Sequence, residues 1–249
     1  MPDQIKRADV FLVTEGFAAS RSEAQAAIRA GGVAADGEQI TKAAQRLRQG
    51  VNIRYQPAHP YVSRGGVKLA AALDHFGLSP ETRICLDVGA STGGFTQVLL
   101  ERRAARVYAV DVGHGQLHSK IKGDRRVISL EGRNARDLTP AVVPEPPQVI
   151  VADVSFISLK QALPAALTLA ARDAWAVLLI KPQFELGRFG TSRGIVKDES
   201  ARETAVAEVT TWVKAQGWFV IGSMESPIEG GDGNREYLLA ARKAEALRK

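Results

Sequence analysis

A glycine-rich segment and two charged side chains stand where parallel sheets usually bind ligands. The segment runs from Asp87 to Phe95, with the sequence DVGASTGGF, and follows an apolar stretch. Glycines at such a strand-to-helix turn let the backbone approach a ligand and expose N–H groups. Asp153 follows the apolar run VIVA, and Lys181 follows WAVLLI. Because ligands of open α/β sheets bind beyond the carboxyl ends of the strands, we expect these features at one edge.

The spacing of the glycines favours one class of cofactor. The turn has the pattern G-x-x-x-G-G, not the G-x-G-x-x-G of pyrophosphate-binding turns. A carboxylate before the first glycine suits a cationic group, such as the amino group of methionine. Asp111 ends the next apolar run. A carboxylate at this position can accept hydrogen bonds from ribose hydroxyls in nicotinamide and S-adenosylmethionine enzymes alike. The pattern favours S-adenosylmethionine, with a nicotinamide dehydrogenase as the alternative. The predicted cofactor-binding residues are Asp87, Gly89, Ala90, Ser91, Thr92, Gly93, Gly94, Phe95 and Asp111.

The residues after Asp153 bear on the group that receives the methyl group. Val154-Ser155-Phe156 lacks the prolines typical of amino-directed nucleic-acid methyltransferases. Carbon-directed pyrimidine enzymes need a cysteine nucleophile, and Cys85 lies inside a predicted strand, where we expect core packing. The remaining target is an oxygen, best a ribose 2′-hydroxyl, which is a weak nucleophile and needs a base. A lysine can serve as that base if burial or neighbouring cations lower its pKa.

Alternating strands and helices predict the scaffold for these residues, a Rossmann-like α/β sheet with helices on both faces. The predicted strands are 83–88, 106–112, 126–130, 149–152, 175–180, 218–222 and 237–241. The predicted helices are 67–76, 95–102, 159–171 and 199–216. Residues 63–249 form the predicted methyltransferase domain, and residues 56–62, with two prolines, the predicted linker.

Residues 1–55 predict a small α+β domain of two helices and a hairpin. A helix is predicted over 9–15, and Ser20 with Glu23 matches a capping box at the start of a second. Asp36-Gly37 predicts a tight turn, and a short strand is expected over 51–53. Residues 39–54 hold four basic side chains and no acid. Three of these cations are predicted to contact RNA: Lys42, Arg46 and Arg48.

Composition narrows the classes of function. The net charge of +6 and the pI of about 9.6 favour a polyanionic partner. One cysteine excludes a disulfide framework within the chain and a Cys/His metal cluster, so we expect no metal. No apolar run approaches the roughly 20 residues that span a bilayer, and the first residues lack a signal core. We therefore expect a cytoplasmic protein without a membrane partner.

Five segments in a fixed order carry a resemblance to a known family: VSRGGVKL, DVGASTGGFT, ADVSFISL, IKPQFE and GNREYL. Together they resemble the TlyA family of bacterial rRNA 2′-O-methyltransferases, whose members are also called hemolysin A. The catalytic part is similar to the FtsJ/RrmJ-type ribose methyltransferases. The N-terminal part resembles the alpha-L RNA-binding motif. The resemblance covers nearly the whole chain.

The resemblance implies roles for particular residues. It implies a catalytic tetrad of Lys68, Asp153, Lys181 and Glu236 in which Lys181 activates the hydroxyl. It implies that Asn134 lies near the adenosine of S-adenosylmethionine. The RNA-facing residues implied are Arg7, Ser20 and Arg21, together with Arg64 on the basic linker side of the catalytic domain. The implied partner is ribosomal RNA within ribosomal subunits.

Two further alternatives remain open on the sequence alone. One is a membrane-active hemolysin, which the older family name suggests. The other is a non-catalytic ribosome-assembly protein that binds RNA through a vestigial methyltransferase fold. The modified nucleotide, the ribosomal subunit and the oligomeric state are not predicted.

Overall fold

The computed structural model describes residues 5–18, 20–186 and 194–243. The chain divides into two compact units, Met1–Pro60 and Tyr61–Lys249. Each unit has its own hydrophobic core. The finer domain limits, with a linker over 56–62, stay a prediction.

The first unit is a small α+β domain. Its described elements are β1 Lys6–Arg7, α1 Ala8–Thr14, α2 Arg21–Arg29, β2 Val33–Ala35, β3 Glu38–Gln39, β4 Arg46–Leu47 and β5 Ile53–Tyr55. The strands pair antiparallel in the orders β1-β4 and β3-β2-β5. The core includes Phe11 and Leu12 of α1 and Ile28 of α2.

The start of α2 confirms one sequence prediction, and the last strand corrects another. The Ser20 hydroxyl accepts the N–H of Glu23 at 3.2 Å, which caps the helix as predicted. The final strand was expected over 51–53, but β5 begins at Ile53. Its partner β2 sets these limits, because Val33–Ala35 pairs residue by residue with Tyr55–Ile53.

The second unit is an α/β domain whose described strands form one seven-stranded sheet. The strands are β6 Ile84–Val88, β7 Arg106–Asp111, β8 Val127–Glu131, β9 Val149–Ala152, β10 Trp175–Ile180, β11 Trp218–Glu225 and β12 Tyr237–Lys243. Their order is β11-β12-β10-β9-β6-β7-β8. Strands β6 to β10 run parallel, while β12 runs antiparallel to β10 and β11. This arrangement confirms the predicted Rossmann-like α/β sheet of the methyltransferase fold.

Helices cover both faces of the sheet. The described helices are α3 Gly65–Phe76, α4 Gly94–Glu101, α5 Ser119–Lys122, α6 Leu159–Ala162, α7 Pro164–Leu169, α8 Pro182–Glu185 and α9 Glu199–Ala215, with a 3-10 turn at Ala135–Asp137. Side chains of α3, α4 and α5 pack in one core, and those of α6, α7 and α9 in the other. Successive residues of β10 alternate between the two cores, so all six are buried.

Three predicted elements of this unit, one helix and two strands, differ from the structure in number or by two or more residues at their carboxyl ends. The single helix expected over 159–171 is two short helices, because Pro164 has no backbone N–H and begins α7 instead of continuing α6. The strands expected over 218–222 and 237–241 are longer, since β11 and β12 pair along almost their whole length. Strand β11 lies at the sheet edge, has a bulge between Val220 and Gly222, and leaves Phe219 largely exposed.

Within the described ranges, no helix combines the length and the apolar character needed to cross a lipid bilayer. The longest, α9, has 17 residues, of which Arg202, Ala205, Val209 and Val213 are buried, while its glutamates and Lys214 are exposed.

The packing of β10 yields a stability prediction. Leu178 is completely buried between Ala152 and Leu239 of the neighbouring strands. Leu178→Ala should lower the free energy of unfolding by about 3 kcal/mol, because a buried leucine is replaced by a cavity. Urea titration followed by tryptophan fluorescence measures this unit alone, since Trp175, Trp212 and Trp218 all lie in it.

The matched control is Lys214→Ala, which truncates an exposed side chain on α9. Its free energy of unfolding should stay within about 0.5 kcal/mol of the parent. A loss below about 1 kcal/mol for Leu178→Ala would show that the sheet centre is not packed as described.

Candidate active site

The glycine-rich turn between β6 and α4 lies against the end of β9. Gly89 has a φ of 82°, and a Cβ there would overlap the carbonyl oxygen of Asp153. A Cβ on Gly94 would overlap the hydroxyl of Ser63. Any side chain at these two positions would push the turn away from β9 and from the start of α3. The glycines therefore permit the close approach on which the site is built.

Asp87 lies beneath this turn. Its side chain is completely buried, and one carboxylate oxygen accepts the Thr96 hydroxyl at 2.6 Å. The other oxygen has no hydrogen-bond partner in the described structure. Burial, together with the charges of Asp153 and Asp111, raises the pKa of Asp87 to about 7, although the hydrogen bond from Thr96 acts in the other direction. The sequence predicted this carboxylate at the ligand surface; the structure places it below the cavity walls, because Thr96 of α4 covers it.

Asp111 ties the turn to the end of β7. One carboxylate oxygen accepts the N–H of Ser91 at 2.8 Å, and the other accepts the N–H of Gly113 at 2.7 Å. The carboxylate thus orders two loops at the carboxyl edge of the sheet. Since each carboxylate oxygen has a second lone pair, both can accept a further hydrogen bond from a ligand.

A cavity of about 510 Å³ opens beside this carboxylate. Four of the predicted cofactor-binding residues line it: Gly89, Ser91, Asp111 and Asn134. The Asn134 side chain also accepts the N–H of Arg136 at 3.1 Å, which holds the 3-10 turn in place. The volume lies in the range of small-molecule sites. We call this the larger cavity.

A second cavity of about 280 Å³ adjoins the larger one and shares Gly89, Ser91, Asp153 and Ser155 with it. We call it the smaller cavity. Four more residues of the predicted cofactor set line only this one: Ala90, Thr92, Gly94 and Phe95. Gly93 lines neither cavity; at φ 95° it is the N-cap of α4 and lies against Leu117 and Ile121.

The structure brings the four residues of the implied tetrad together in the smaller cavity. Lys68, Asp153, Lys181 and Glu236 all line its wall. The Lys68 amine pairs with the Glu236 carboxylate, with side-chain exposures of only 7% and 3%. The Lys181 amine lies 2.6 Å from Asp153, with exposures of 11% and 23%. Pairing each cation with an anion offsets the cost of removing both from water.

Sheet topology explains why Glu236 reaches this edge. Lys181 follows the end of β10, and Ile180 pairs with Tyr237 at the start of β12. Because β12 is antiparallel, its first residues lie beside the last residues of the parallel strands. Lys68 lies on α3, whose close packing needs Gly66 beneath the ring of Tyr61.

Sequence reasoning missed two residues at the rim of the site. The Ser155 hydroxyl accepts a hydrogen bond from Lys181 at 2.8 Å. Phe156 is 91% exposed at φ 66°, and its ring centroid lies 5.3 Å from that of Phe184. Both belong to the ADVSF segment, but a positive φ for phenylalanine leaves no mark in the sequence.

In the first unit, a buried carboxylate holds two arginines. Asp9 is completely buried and accepts hydrogen bonds from Arg7 at 3.0 Å, Arg21 at 2.9 Å and Gln25 at 2.7 Å. The Arg7 guanidinium holds the pKa of Asp9 well below its usual range. The two arginine side chains remain 41% and 57% exposed.

The other predicted RNA-binding residues are placed as follows. Arg46 pairs with Arg7 across β1 and β4, so two cations stand opposite each other. Lys42 and Arg48 are exposed. The Ser20 hydroxyl is engaged in the cap of α2, and Arg64 of the second unit lines the smaller cavity.

Both units match known protein families. The FtsJ-like methyltransferase family profile matches residues 61–243, and the S4 domain profile matches residues 6–53. The chain is 44% identical to the Mycobacterium tuberculosis 16S/23S rRNA (cytidine-2′-O)-methyltransferase TlyA, over 95% of this chain and 89% of the relative. It is 43% identical to Hemolysin A of Brachyspira hyodysenteriae, over 93% of this chain and 98% of that protein.

Solved structures show the same similarity. A structure from Streptococcus thermophilus has a TM-score of 0.78 and 40% identity, and covers 97% of this chain and 89% of that chain. Magnesium protoporphyrin IX methyltransferase from Synechocystis shares the fold alone, with a TM-score of 0.51 at 13% identity, over 73% of this chain and 82% of its own.

The seven-stranded sheet, the glycine-rich turn and the adjoining cavities define a methyltransferase of the FtsJ-like class joined to an S4 domain. The chain belongs to the TlyA family, whose curated members include named rRNA 2′-O-methyltransferases.

Burial of Asp87 predicts a pH-dependent stability. Its pKa is about 7 in the folded protein and near 4 when unfolded, so folding takes up a proton between these values. The contribution of this carboxylate to stability therefore falls as the pH rises from 4 to 7. Asp87→Asn removes this titration, and asparagine can still accept the Thr96 hydroxyl. When the pH is raised from 5 to 8, the unfolding free energy of the variant minus that of the parent should increase by on the order of 2 kcal/mol.

Urea titrations at pH 5 and pH 8 measure this difference. Glu203→Gln, which replaces an exposed carboxylate on α9, is the control and should track the parent at both pH values. An equal offset of Asp87→Asn at both pH values would contradict the prediction.

Proposed function

We propose that this protein transfers a methyl group from S-adenosylmethionine to a ribose 2′-hydroxyl of ribosomal RNA. The observation that carries the proposal is the position of Lys181, whose amine lies 2.6 Å from Asp153 in a cavity adjoining one of nucleoside size. The family supports the same reaction, since relatives from Mycobacterium tuberculosis and Campylobacter jejuni are named rRNA cytidine-2′-O-methyltransferases. Cytidine is therefore the first nucleotide to test.

The larger cavity suits S-adenosylmethionine in size and in the chemistry of its walls. Asp111 and Asn134 would hold the adenosine, and the backbone of Gly89 and Ser91 the adjoining part of the cofactor. Val112, which is largely exposed, offers apolar surface at the mouth. When bound, S-adenosylmethionine supplies an electrophilic methyl group, and its sulfonium becomes a neutral thioether.

Lys181 assists the loss of the hydroxyl proton. The 2′-hydroxyl is a weak nucleophile, so a base positioned beside it raises the rate. The uncharged form of the Lys181 amine takes the proton from the 2′-oxygen while that oxygen forms its new bond to the methyl carbon. The ammonium group that results pairs with Asp153 and later releases the proton to solvent. Asp153 holds the amine in place, and Glu236 holds Lys68, which adds positive charge to the cavity wall.

The S4 domain and the rim of the second unit bind the RNA. Arg7 and Arg46 stand opposite each other, an arrangement that an anionic phosphate stabilises. A ribose in a folded RNA reaches an enclosed site when its nucleotide turns out of the helix. The exposed ring of Phe156 at the mouth of the larger cavity offers a surface on which a base can stack.

Two measurements on Lys181→Ala test the proposed base. Methyl incorporation into ribosomal RNA should fall by about 100-fold or more, because the hydroxyl loses its proton acceptor. S-adenosylmethionine affinity, measured by calorimetry, should change by less than about threefold, since Lys181 lines only the smaller cavity.

The matched control is Lys160→Ala, which removes a lysine that pairs with Glu208 on α9. It should retain the parent's activity. Full activity of Lys181→Ala would remove Lys181 from its role. Mapping 2′-O-methyl marks on ribosomal RNA with and without the protein tests the reaction itself, and absent marks would contradict the proposed function.

Asp9 supplies a separate test of the RNA-binding surface. Asp9→Asn replaces the carboxylate that forms ion pairs with Arg7 and Arg21 by a neutral amide with one acceptor oxygen, so RNA affinity should fall by about tenfold. Asp36→Asn removes an equal charge from the exposed β2–β3 turn and can keep the hydrogen bond from Asn52.

Loss of negative charge alone would strengthen RNA binding in both variants, because RNA is a polyanion. A drop in Asp9→Asn with none in Asp36→Asn, measured by filter binding at one salt concentration, isolates the orientation of the arginines. Equal or tighter binding by Asp9→Asn would contradict the prediction.

A further inference from the structure

The Lys181 amine has two acceptors from one loop. Its Nζ lies 2.6 Å from an oxygen of Asp153 and 2.8 Å from the hydroxyl of Ser155, two residues further along the chain. All three side chains line the smaller cavity. Asp153 belongs to the implied tetrad, whereas Ser155 is the additional contact that the structure supplies.

The number of N–H bonds on the Lys181 amine explains why a second acceptor matters. An ammonium group has three N–H bonds, and a neutral amine has two N–H bonds and one lone pair. The two acceptors hold two of the three positions around the nitrogen, whether the amine is charged or neutral. The third position therefore keeps one direction, whether it carries the lone pair that takes a proton or the N–H bond that later releases it. One acceptor alone would leave the group free to rotate about that single bond.

We propose that Ser155 is a positioning residue that, with Asp153, orients the Lys181 amine toward the 2′-hydroxyl during methyl transfer. This inference rests on the proposed function and deepens it. Orientation matters because a general base acts only within hydrogen-bond reach of the proton that it takes. A displacement of about 1 Å at such a group can cost about 100-fold in rate.

The loop that carries Ser155 is held by contacts that do not involve its hydroxyl. The Phe156 ring packs against Phe184, with centroids 5.3 Å apart. The Glu185 carboxylate accepts the N–H of Leu159 at 2.8 Å. These contacts join the segment after β9 to α8, which begins directly after Lys181. Removing the hydroxyl should therefore leave the loop in place.

The chain offers a matched control in the same loop. Ser158 precedes α6, and its side chain makes no capping hydrogen bond to that helix. Ser155→Ala and Ser158→Ala remove the same atom three residues apart. Ser155→Thr keeps a hydroxyl at the first position and tests for rescue.

The experiment measures kcat, KM for ribosomal RNA and cofactor affinity for these three variants. Ser155→Ala should lower kcat by about 10-fold to 100-fold while KM and cofactor affinity stay within about threefold. Ser155→Thr should recover most of kcat, and Ser158→Ala should match the parent. Thermal melting checks that each variant is folded.

A double variant separates positioning from a general loss of structure. In the Lys181→Ala background, Ser155→Ala should have no further effect, because the group that it positions is gone.

Three results would overturn the inference: a Ser155→Ala kcat within threefold of the parent, an equal loss in Ser158→Ala, or an additive loss in the Lys181→Ala background. The proposed function fails differently, through a parent protein that leaves ribosomal RNA unmethylated or a Lys181→Ala variant with full activity. When the parent methylates RNA and Lys181→Ala does not, the Ser155 variants decide the inference alone.

Discussion

The pairing of Lys68 with Glu236 and of Lys181 with Asp153 is the constraint on which the rest of the site depends. Two ammonium groups at a largely buried edge would repel each other and lose their hydration. Each is stable there only beside a carboxylate that accepts its hydrogen bonds. Four separate parts of the chain must therefore end at the same place, and the fold can be understood as the means of bringing them there.

Strand direction supplies most of that convergence. The parallel strands deliver their carboxyl ends to one edge, where Asp111, Asp153 and Lys181 emerge. The one antiparallel partner of β10 delivers its amino end to the same edge, and with it Glu236. The order of the strands places β6 between β7 and β9, so the glycine-rich turn lies at the crevice where ligands of open sheets bind.

Much of this arrangement was predictable, because it depends on patterns that the sequence carries openly. Continuous apolar runs predict the buried parallel strands to within a residue or two, and strand ends predict the meeting of Asp153 with Lys181. The resemblance added Lys68 and Glu236, which no local pattern marks. The burial of Asp87 depends on the packing of α4 over it, and the Ser155 contact on the path of a loop, so neither could be predicted. Pro164 marks the break between α6 and α7 in the sequence, because proline has no backbone N–H with which to continue a helix.

The bulge in β11 has a consequence for how the sheet ends. An edge strand presents unpaired N–H and C=O groups, which invite a strand from another molecule to extend the sheet. The bulge between Val220 and Gly222 interrupts the even spacing of those groups beside the exposed ring of Phe219. An incoming strand could match the edge on one side of the interruption or the other, but not on both. The bulge thus disfavours aggregation at a sheet edge whose exposed apolar side chains would otherwise favour it.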